Sequence, residues 1–318
     1  MSTQPRVDVK PCVTRSPIAR ALQYVVITPA RNEEQFIRLT LDSMASQTRR
    51  PLRWVIVSDG STDQTDVLVD QYRVRFEWIE LVRMPAHRDR NFAAKVSCFN
   101  AGFESVSQLD FDVVCSLDAD ISFEPDYFAF LLKQFETHPR LGVVGTPFVE
   151  RGVHYDYRFT NIEHVSGACQ LFRRECFNEI GGYVPIKGGG IDWTAVTTAR
   201  MKGWKTRTFL EKVCLHHRPM GSGSSRSQIR SSFRHGQKDY NLGGHPIWQL
   251  FRSAYQMTRP PYIVGGAALF AGYCYALASC RERPVSSELV RFNRMEQMSR
   301  LRKALWRRAH ANGDQARS

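Results

Sequence analysis

Two carboxylates one residue apart, Asp118-Ala119-Asp120, follow directly on the apolar run Val113-Val114-Cys115-Ser116-Leu117. A buried strand that exits on such a pair can aim both carboxylates at one point. That suits a hard divalent cation, magnesium or manganese, which prefers oxygen ligands and takes one or two carboxylates when phosphates fill its other positions. Taken alone, the pair is also what an acidic surface turn carries. A second polar cluster, Ser58-Asp59-Gly60-Ser61-Thr62-Asp63, ends the run Trp54-Val55-Ile56-Val57. Its composition is that of a turn leading into a helix capped by Thr62 or Asp63.

The elements that must position these groups alternate along the chain. Tyr24-Val25-Val26-Ile27 is a β-branched run, and Phe36, Ile37, Leu41 and Met44 recur at helical spacing. Strands are expected again at 54–57, 77–82 and 111–117, with helices around Val67, Leu68 and Tyr72 and over 92–106. Strands alternating with helices indicate a parallel sheet covered by helices. In such sheets ligands bind beyond the carboxyl ends of the strands. The polar clusters stand at those ends, after Ile27, Val57 and Leu117. No GxGxxG follows the first strand and no GxxxxGK[ST] occurs, which excludes the dinucleotide and P-loop fingerprints. Further on, 142–145 reads as a strand, 150–170 as a polar and aromatic stretch and 172–180 as a short helix. A helix through Met201 follows the glycines at 188–190, and a Gly/Ser/Arg loop occupies 218–227.

In order and interval, Thr28-Pro29-Ala30-Arg31-Asn32-Glu33-Glu34, SDGSTDQT at 58–65, Lys95 to Gly102 and Asp118-Ala119-Asp120 resemble the motifs of family 2 glycosyltransferases. The resemblance spans about 23–215. It implies an α/β, Rossmann-like, mostly parallel sheet of GT-A type, and transfer from a nucleotide-diphospho-sugar with inversion. Thr28, Pro29, Ala30, Arg31, Glu33 and Asp59 would hold the nucleoside, with Asp59 reading the base. Lys95 would face the diphosphate, Asp118 the ribose and metal, and Asp120 the metal. Ser58 stands where the family carries a second aspartate, and Ala94 where it carries a glycine. The segment from Gly167 to Tyr183 is similar to the family's acceptor side, bringing in Gln170, Gly189 and Trp193. Asp192 takes the place of the catalytic base, with Ile191 where a glutamate is common; the alternative for Asp192 is a helix N-cap. One of His216 and His217 would be a third metal ligand, or the histidines are structural. Arg218 and the arginines of 226–234 could clamp the diphosphate from a closing lid.

Rival classes fit less well. A nucleotidyltransferase opens with a Gly-rich loop, and 28–34 has no glycine. A degenerate sugar-binding scaffold would have lost Asp120 or Asp192. Gln228 is followed by Ile-Arg-Ser-Ser rather than by a QxxRW segment, which favours transfer of a single sugar to a saccharide or lipid-linked acceptor, in exopolysaccharide or cell-envelope glycan synthesis.

The 318 residues, 42% hydrophobic, suffice for one large domain and an appendage. The net charge of +13 favours anionic partners. Without an RNA-binding aromatic motif, nucleic acid is not expected among them. Eight cysteines show no CxxC pair, as for reduced thiols. The expected organisation is a disordered leader over 1–22, lacking an apolar signal segment, then the GT-A domain over 23–217. A mobile basic lid follows over 218–245, and a helical extension over 246–318. In the extension an apolar segment, 261–279, is marginal for a span. A basic amphipathic helix over 286–309 carries Leu289, Phe292, Met295, Met298, Leu301 and Leu305 on one stripe. The apolar segment is equally a packed helical hairpin or one that dips into a membrane. The basic helix is either an ordinary solvated helix packed on the domain or a peripheral attachment to an anionic membrane, at its cytoplasmic face.

Overall fold

The first strand, β1 (Tyr24–Ala30), sends Tyr24 and Val26 into one hydrophobic cluster and Val25 and Ile27 into another. This two-residue period, apolar on both faces, is what a strand sandwiched between two helical layers requires. The computed structural model describes residues 20–85, 92–150, 153–154, 161–218, 225–280 and 282–315. After β1 come α1 (Ile37–Ala45), β2 (Arg53–Ser58), α2 (Thr65–Arg73), β3 (Ile79–Arg83), α3 (Phe92–Ser105) and β4 (Val113–Leu117). Next are β5 (Ile121–Ser122), α4 (Tyr127–Thr137), β6 (Leu141–Gly145), β7 (Phe148–Glu150), β8 (Val153–His154), β9 (Cys169–Arg173) and α5 (Arg174–Glu179). The chain finishes with α6 (Ile191–Met201), β10 (Lys205–Thr208), β11 (Cys214–His216), α7 (Ser225–Asn241), α8 (Pro246–Gln256), α9 (Tyr262–Ala278) and α10 (Ser287–Gln315).

The main sheet has seven strands in the order β10-β6-β9-β4-β1-β2-β3. All neighbours pair in parallel except β9, which runs antiparallel between β4 and β6. Helices α1, α2 and α4 cover one face and α3, α5 and α6 the other. This is the helix-covered, mostly parallel sheet expected from the alternation. The central strand β9 was not: its residues lie where a polar stretch and the start of a helix were expected. With five residues and the polar Gln170 in its middle it shows no long apolar run, and its burial comes from pairing on both edges.

A second sheet, β5-β11-β7-β8, lies at the carboxyl edge of the first. In it β5 pairs antiparallel with β11, setting His216 opposite Ile121 and Leu215 opposite Ser122.

The 218–245 stretch, expected as a loop, is largely helix α7; 219–224 and the leader residues 1–19 lie outside the described residues. The Gly/Ser composition that signals a loop ends near Ser225. From there Ile229, Phe233, Gly236 and Tyr240 recur at helical spacing. Gly236 and Gly272 let α7 and α9 cross with backbones nearly touching: a Cβ at Gly236 would lie 1.9 Å from the Leu269 carbonyl oxygen, and one at Gly272 2.0 Å from that of Phe233. The apolar segment at 261–279 is therefore one helix packed on α7, and among the described residues no helix is long and apolar enough to cross a membrane. In α10 the expected stripe is only partly inward. Leu289 and Leu301 are buried but Met295 is 63% exposed, and Asn293 takes an inward place by donating to the Leu242 carbonyl. The side chains of Leu305 and the arginines beyond it lie outside the described residues. Arg200 of α6 grips Glu296 of α10 with two bonds, 2.8 and 2.9 Å, and so docks the extension on the sheet domain. Among the described residues the seven cysteines are unpaired thiols.

Gly236→Ala is expected to force α7 and α9 apart and destabilise the protein by about 1–3 kcal/mol, the usual cost of overpacking. Denaturant unfolding measures it; wild-type stability would show that the crossing is looser than the backbones imply.

Candidate active site

Strands β1, β2 and β4 run in parallel, so their carboxyl ends deliver Arg31 and Glu33, Asp59, and Asp118 to one edge of the sheet. Two loops lock there. The Asn32 carboxamide oxygen accepts from the Thr62 N–H at 2.8 Å, and the Glu33 N–H donates to the Thr65 hydroxyl at 2.7 Å. Asp63 accepts from the N–H of Glu34 at 3.1 Å and of Thr65 at 3.0 Å; it bonds the first turn of α2 from one position before the N-cap, which is Gln64 rather than the expected Thr62 or Asp63. The Asp59 N–H extends the β1–β2 ladder to the Ala30 carbonyl, and its carboxylate faces Arg31 at 3.5 Å. Asp59 is also next to Cys98, whose thiol is pushed up to about 12 by burial and by that carboxylate.

Asp118, Asp120 and His216 present ligand atoms that all lie within 4.8 Å of one another. Local structure explains the convergence. Thr40, a buried polar residue on the apolar face of α1, lies with its hydroxyl 2.8 Å from the Ala119 carbonyl and 2.7 Å from that of Ile121, bracketing Asp120. The β5–β11 register brings His216 alongside, its Nε2 3.6 Å from Asp120 Oδ1. The alternation of β11 then separates the two histidines. His217, one position on, has its Nε2 2.8 Å from the Ser122 hydroxyl, outside the cluster. Of the two histidines proposed as ligands, the structure brings only His216 to the carboxylates.

The charges around the pair are compensated from two sides. Lys95 of α3 is ion-paired with Asp118, and Arg218 bridges Asp120, at 3.2 Å, and Glu33. Burial pushes the Asp118 carboxyl above its ordinary range; the Asp120 charge adds to this and Lys95 opposes it. Burial likewise raises Glu33 against the pull of Arg218. Burial draws the Lys95 ammonium down, but Asp118, with Asp192 and Asp120 behind it, outweighs that and holds it above its usual value. His216 is mostly buried, and its Nδ1 has no hydrogen-bond partner among the described residues. Two neighbouring, largely buried carboxylates with an imidazole nitrogen beside them fit a divalent cation that would offset their charge. The cluster is a candidate metal centre.

Two cavities meet at it. A cleft of about 630 Å³ is lined by Pro29, Ala30, Arg31, Glu33 and Asp59 on its strand-end side and by Asp120, Lys187 and Arg218 opposite. A deeper cavity of about 530 Å³ is lined by Asp192, Gly167, Gln170 and His164, with Lys238 from α7. Lys95, Asp118 and His216 belong to both. Asp192 stands in the first turn of α6, whose N-cap is Gly190 at φ 95°, so it is not the cap and its carboxylate is available.

Other expected site residues have structural employment. Thr28 is fully buried and accepts from the Trp54 indole at 2.9 Å. Gln170 borders the deeper cavity, yet its amide donates to the Val165 carbonyl and accepts from the Tyr183 hydroxyl, both at 2.8 Å. Gly189 lines neither cavity, and Trp193 lines the space behind Asp192 instead. Thr40, Lys187, His164 and Lys238 went unread. For Thr40 a signal existed, a lone hydroxyl on an apolar helical stripe; Lys238 reaches the cavity only through the fold.

A mixed sheet with helices on both faces, bearing an aspartate pair at the end of β4 and a histidine across from it, is the Rossmann-like GT-A fold. A family model, glycosyl transferase family 2, matches residues 25–181, and the chain belongs to that family. It is 29% identical over 145 residues to the probable glycosyltransferase YdaM of Bacillus subtilis, covering 44% of this chain and 33% of that one. It is 25% identical over 182 residues to a glucosyl-dolichyl phosphate glucuronosyltransferase of Haloferax volcanii, covering 50% and 54%. The chain thus spans a third to about half the length of these curated relatives. Among solved structures it resembles the mannosyltransferase PcManGT of Pyrobaculum calidifontis in complex with GDP-Man and Mn2+. The TM-score is 0.58 at 20% identity, over 83% of this chain and 89% of that one. Residues 1–349 of Staphylococcus aureus TarS with UDP-GlcNAc superpose with a TM-score of 0.52 at 17% identity, over 67% and 66%. At these identities the likeness is one of fold.

His216→Ala and Asp120→Ala are expected to abolish high-affinity Mn2+ binding in calorimetric titration, while His217→Ala leaves it unchanged. Thr40→Val, which removes an outer support, weakens it by about 10–100-fold. Equal losses from His216→Ala and His217→Ala would overturn the assignment.

Proposed function

We propose that this chain is an inverting, metal-dependent glycosyltransferase that moves one sugar from a nucleotide-diphospho-sugar to a saccharide or lipid-linked acceptor. The observation that carries this reading is the meeting of two cavities at Lys95, Asp118 and His216, with the nucleoside-sized cleft on one side and Asp192 on the other.

The strand-end cleft receives the nucleoside: Asp59 faces the base and the turn from Pro29 to Glu33 holds it. Asp118, Asp120 and His216 would hold Mn2+ or Mg2+, which when bound supplies positive charge to the departing diphosphate. Lys95 and Arg218 are placed to add to that charge. Asp192 takes the proton of the acceptor hydroxyl as its oxygen bonds to the anomeric carbon. The bond from that carbon to the diphosphate oxygen breaks, and the nucleoside diphosphate leaves with the electron pair. Base and leaving group occupy different cavities, the arrangement that displacement with inversion requires. The mannosyltransferase solved with GDP-Man and Mn2+ shares the fold and supports a metal-assisted donor site.

The extension is read as membrane-facing. Helix α8 exposes Ile247, Leu250 and Phe251 on one side, and the first turn of α9 exposes Tyr262, Ile263 and Val264. An apolar edge on a chain of net charge +13 suits the headgroup layer of an anionic bilayer.

Asp192→Asn is expected to lower transfer by about 10²–10⁴-fold, the reach of general-base catalysis, with nucleotide-sugar affinity retained. Product release and donor binding read the two effects separately, and wild-type turnover by this variant would remove Asp192 as the base. In flotation, the protein is expected to rise with phosphatidylglycerol-containing vesicles and Ile263→Glu to remain below; equal flotation of both would refute the membrane reading.

A further inference from the structure

Behind Asp192 the deeper cavity opens into another of about 520 Å³, with which it shares His164, Asp192, His235 and Lys238. This volume falls within the roughly 300–1,000 Å³ of small-ligand pockets. Its walls come from the sheet domain and from the extension together: Trp193 and Arg200 of α6, Trp248 and Gln249 of α8, and Asn293 and Gln297 of α10. Apart from Asn161 and His164, every lining residue lies beyond 181, where the family match ends. The shared catalytic frame does not account for this space.

Its chemistry is distinctive. The Gln249 side chain is 99% buried by the count of its residue, which is 1% exposed, yet its Nε2 has no hydrogen-bond partner among the described residues. Nδ1 of His164, a partly buried residue, likewise has no partner among the described residues, and burial keeps that ring toward its neutral form. Buried polar atoms without partners are rare in folded proteins, and here two belong to side chains that line one cavity. Of the charged side chains here, Asp192 and Lys238 are shared with the deeper cavity, and the others are ion-paired. Arg200 and Arg300 both hold Glu296, the latter at 3.1 Å, and Arg252 holds Asp239 at 2.5 Å. Beside these paired charges the cavity is lined by hydrogen-bonding amides, the His164 imidazole and two half-buried indoles. Indoles beside amides suit a ring with apolar C–H faces and a rim of hydroxyls.

We propose that this cavity is an acceptor subsite, holding the second sugar unit of a neutral saccharide whose terminal hydroxyl faces Asp192. The assignment rests on reading the Asp192 cavity as the acceptor side. It makes the preferred acceptor a chain of at least two sugars.

Full-length protein with Mn2+ is applied to an array of immobilised neutral mono-, di-, tri- and tetrasaccharides and their uronic acid and phosphorylated counterparts. Neutral glycans longer than one unit are expected to be retained about ten-fold or more above monosaccharides and charged glycans, since a site built to hydrogen-bond hydroxyls rejects ligands that leave it unpaired. Gln249→Leu is expected to abolish that retention and at the same time to raise the melting temperature, because the orphaned donor disappears; a merely structural glutamine would lower both. Trp248→Ala is expected to weaken retention while nucleotide affinity, read by calorimetry, certifies the fold. Equal retention of mono- and oligosaccharides, preference for charged glycans, no retention, or unchanged binding in both variants would overturn the subsite. Asp192→Asn separates the two readings. If it loses transfer while the array shows no oligosaccharide preference, the base stands and the subsite falls. If it transfers normally while the preference holds, the base falls and the cavity's ligand stands.

Discussion

Two carboxylates, Asp118 and Asp120, are held together at the buried end of a central strand, and much of the surrounding structure answers the charge this concentrates. Burial and mutual repulsion make the pair unfavourable by itself, and one side chain from each of several directions offsets it. Lys95 arrives on α3, Arg218 from beyond β11, and His216 through a strand pairing. Glu33 is drawn in as a second partner for Arg218. The pair is backed by Thr40, whose hydroxyl lies within bonding distance of the backbone carbonyls on either side of Asp120. The interactions that stabilise the apo cluster are thus the ones that would orient it toward a cation and a diphosphate.

The cluster also divides the molecule. On one side lie the ends of parallel strands, where interlocked loops build a shallow cleft with Asp59 at its rim. On the other, α6 begins at Gly190 with Asp192 in its first turn. The left-handed backbone at Gly190 allows the abrupt entry into the helix, and the end of α7 lies directly over it: a Cβ there would meet Lys238 of α7 at 3.1 Å and Leu242 just beyond it at 2.8 Å. The strand-end cleft is therefore lined by residues up to Arg218 alone, and the far cavity depends on the extension being docked.

That docking is built from close backbone contact and from ion pairing with little solvent. Gly236 and Gly272 bring α7 against α9, and Arg200 and Glu296 are 9% and 16% exposed. A terminal segment tied in this way is part of the site's wall. The exposed apolar edge of α8 and α9 is correspondingly the side of the extension not used for docking.

The order of motifs along the chain determined the strand–helix alternation, the parallel core and the polar clusters at the strand ends. These are local: a polar cluster at the end of a β-branched run is at the carboxyl edge of a parallel sheet wherever that strand lands. Asp59, Asp118 and Asp120 could be placed at that edge for that reason, whereas Lys95 and Asp192, on helices α3 and α6, were singled out only by the family resemblance. The choice between His216 and His217 was not legible, because it depends on the register of β11 against β5, a pairing of residues about 95 apart in sequence whose two-residue alternation sends adjacent rings to opposite sides. The strand β9 was hidden because its burial comes from neighbours on both edges rather than from its own composition. Thr28 and Gln170, apt in type for ligand contact, proved to be engaged with Trp54, and with Val165 and Tyr183. The cavity beyond Asp192 left no trace in any single segment, since α6, α7, α8 and α10 contribute one or two turns each. Only tertiary packing brings them around a common space.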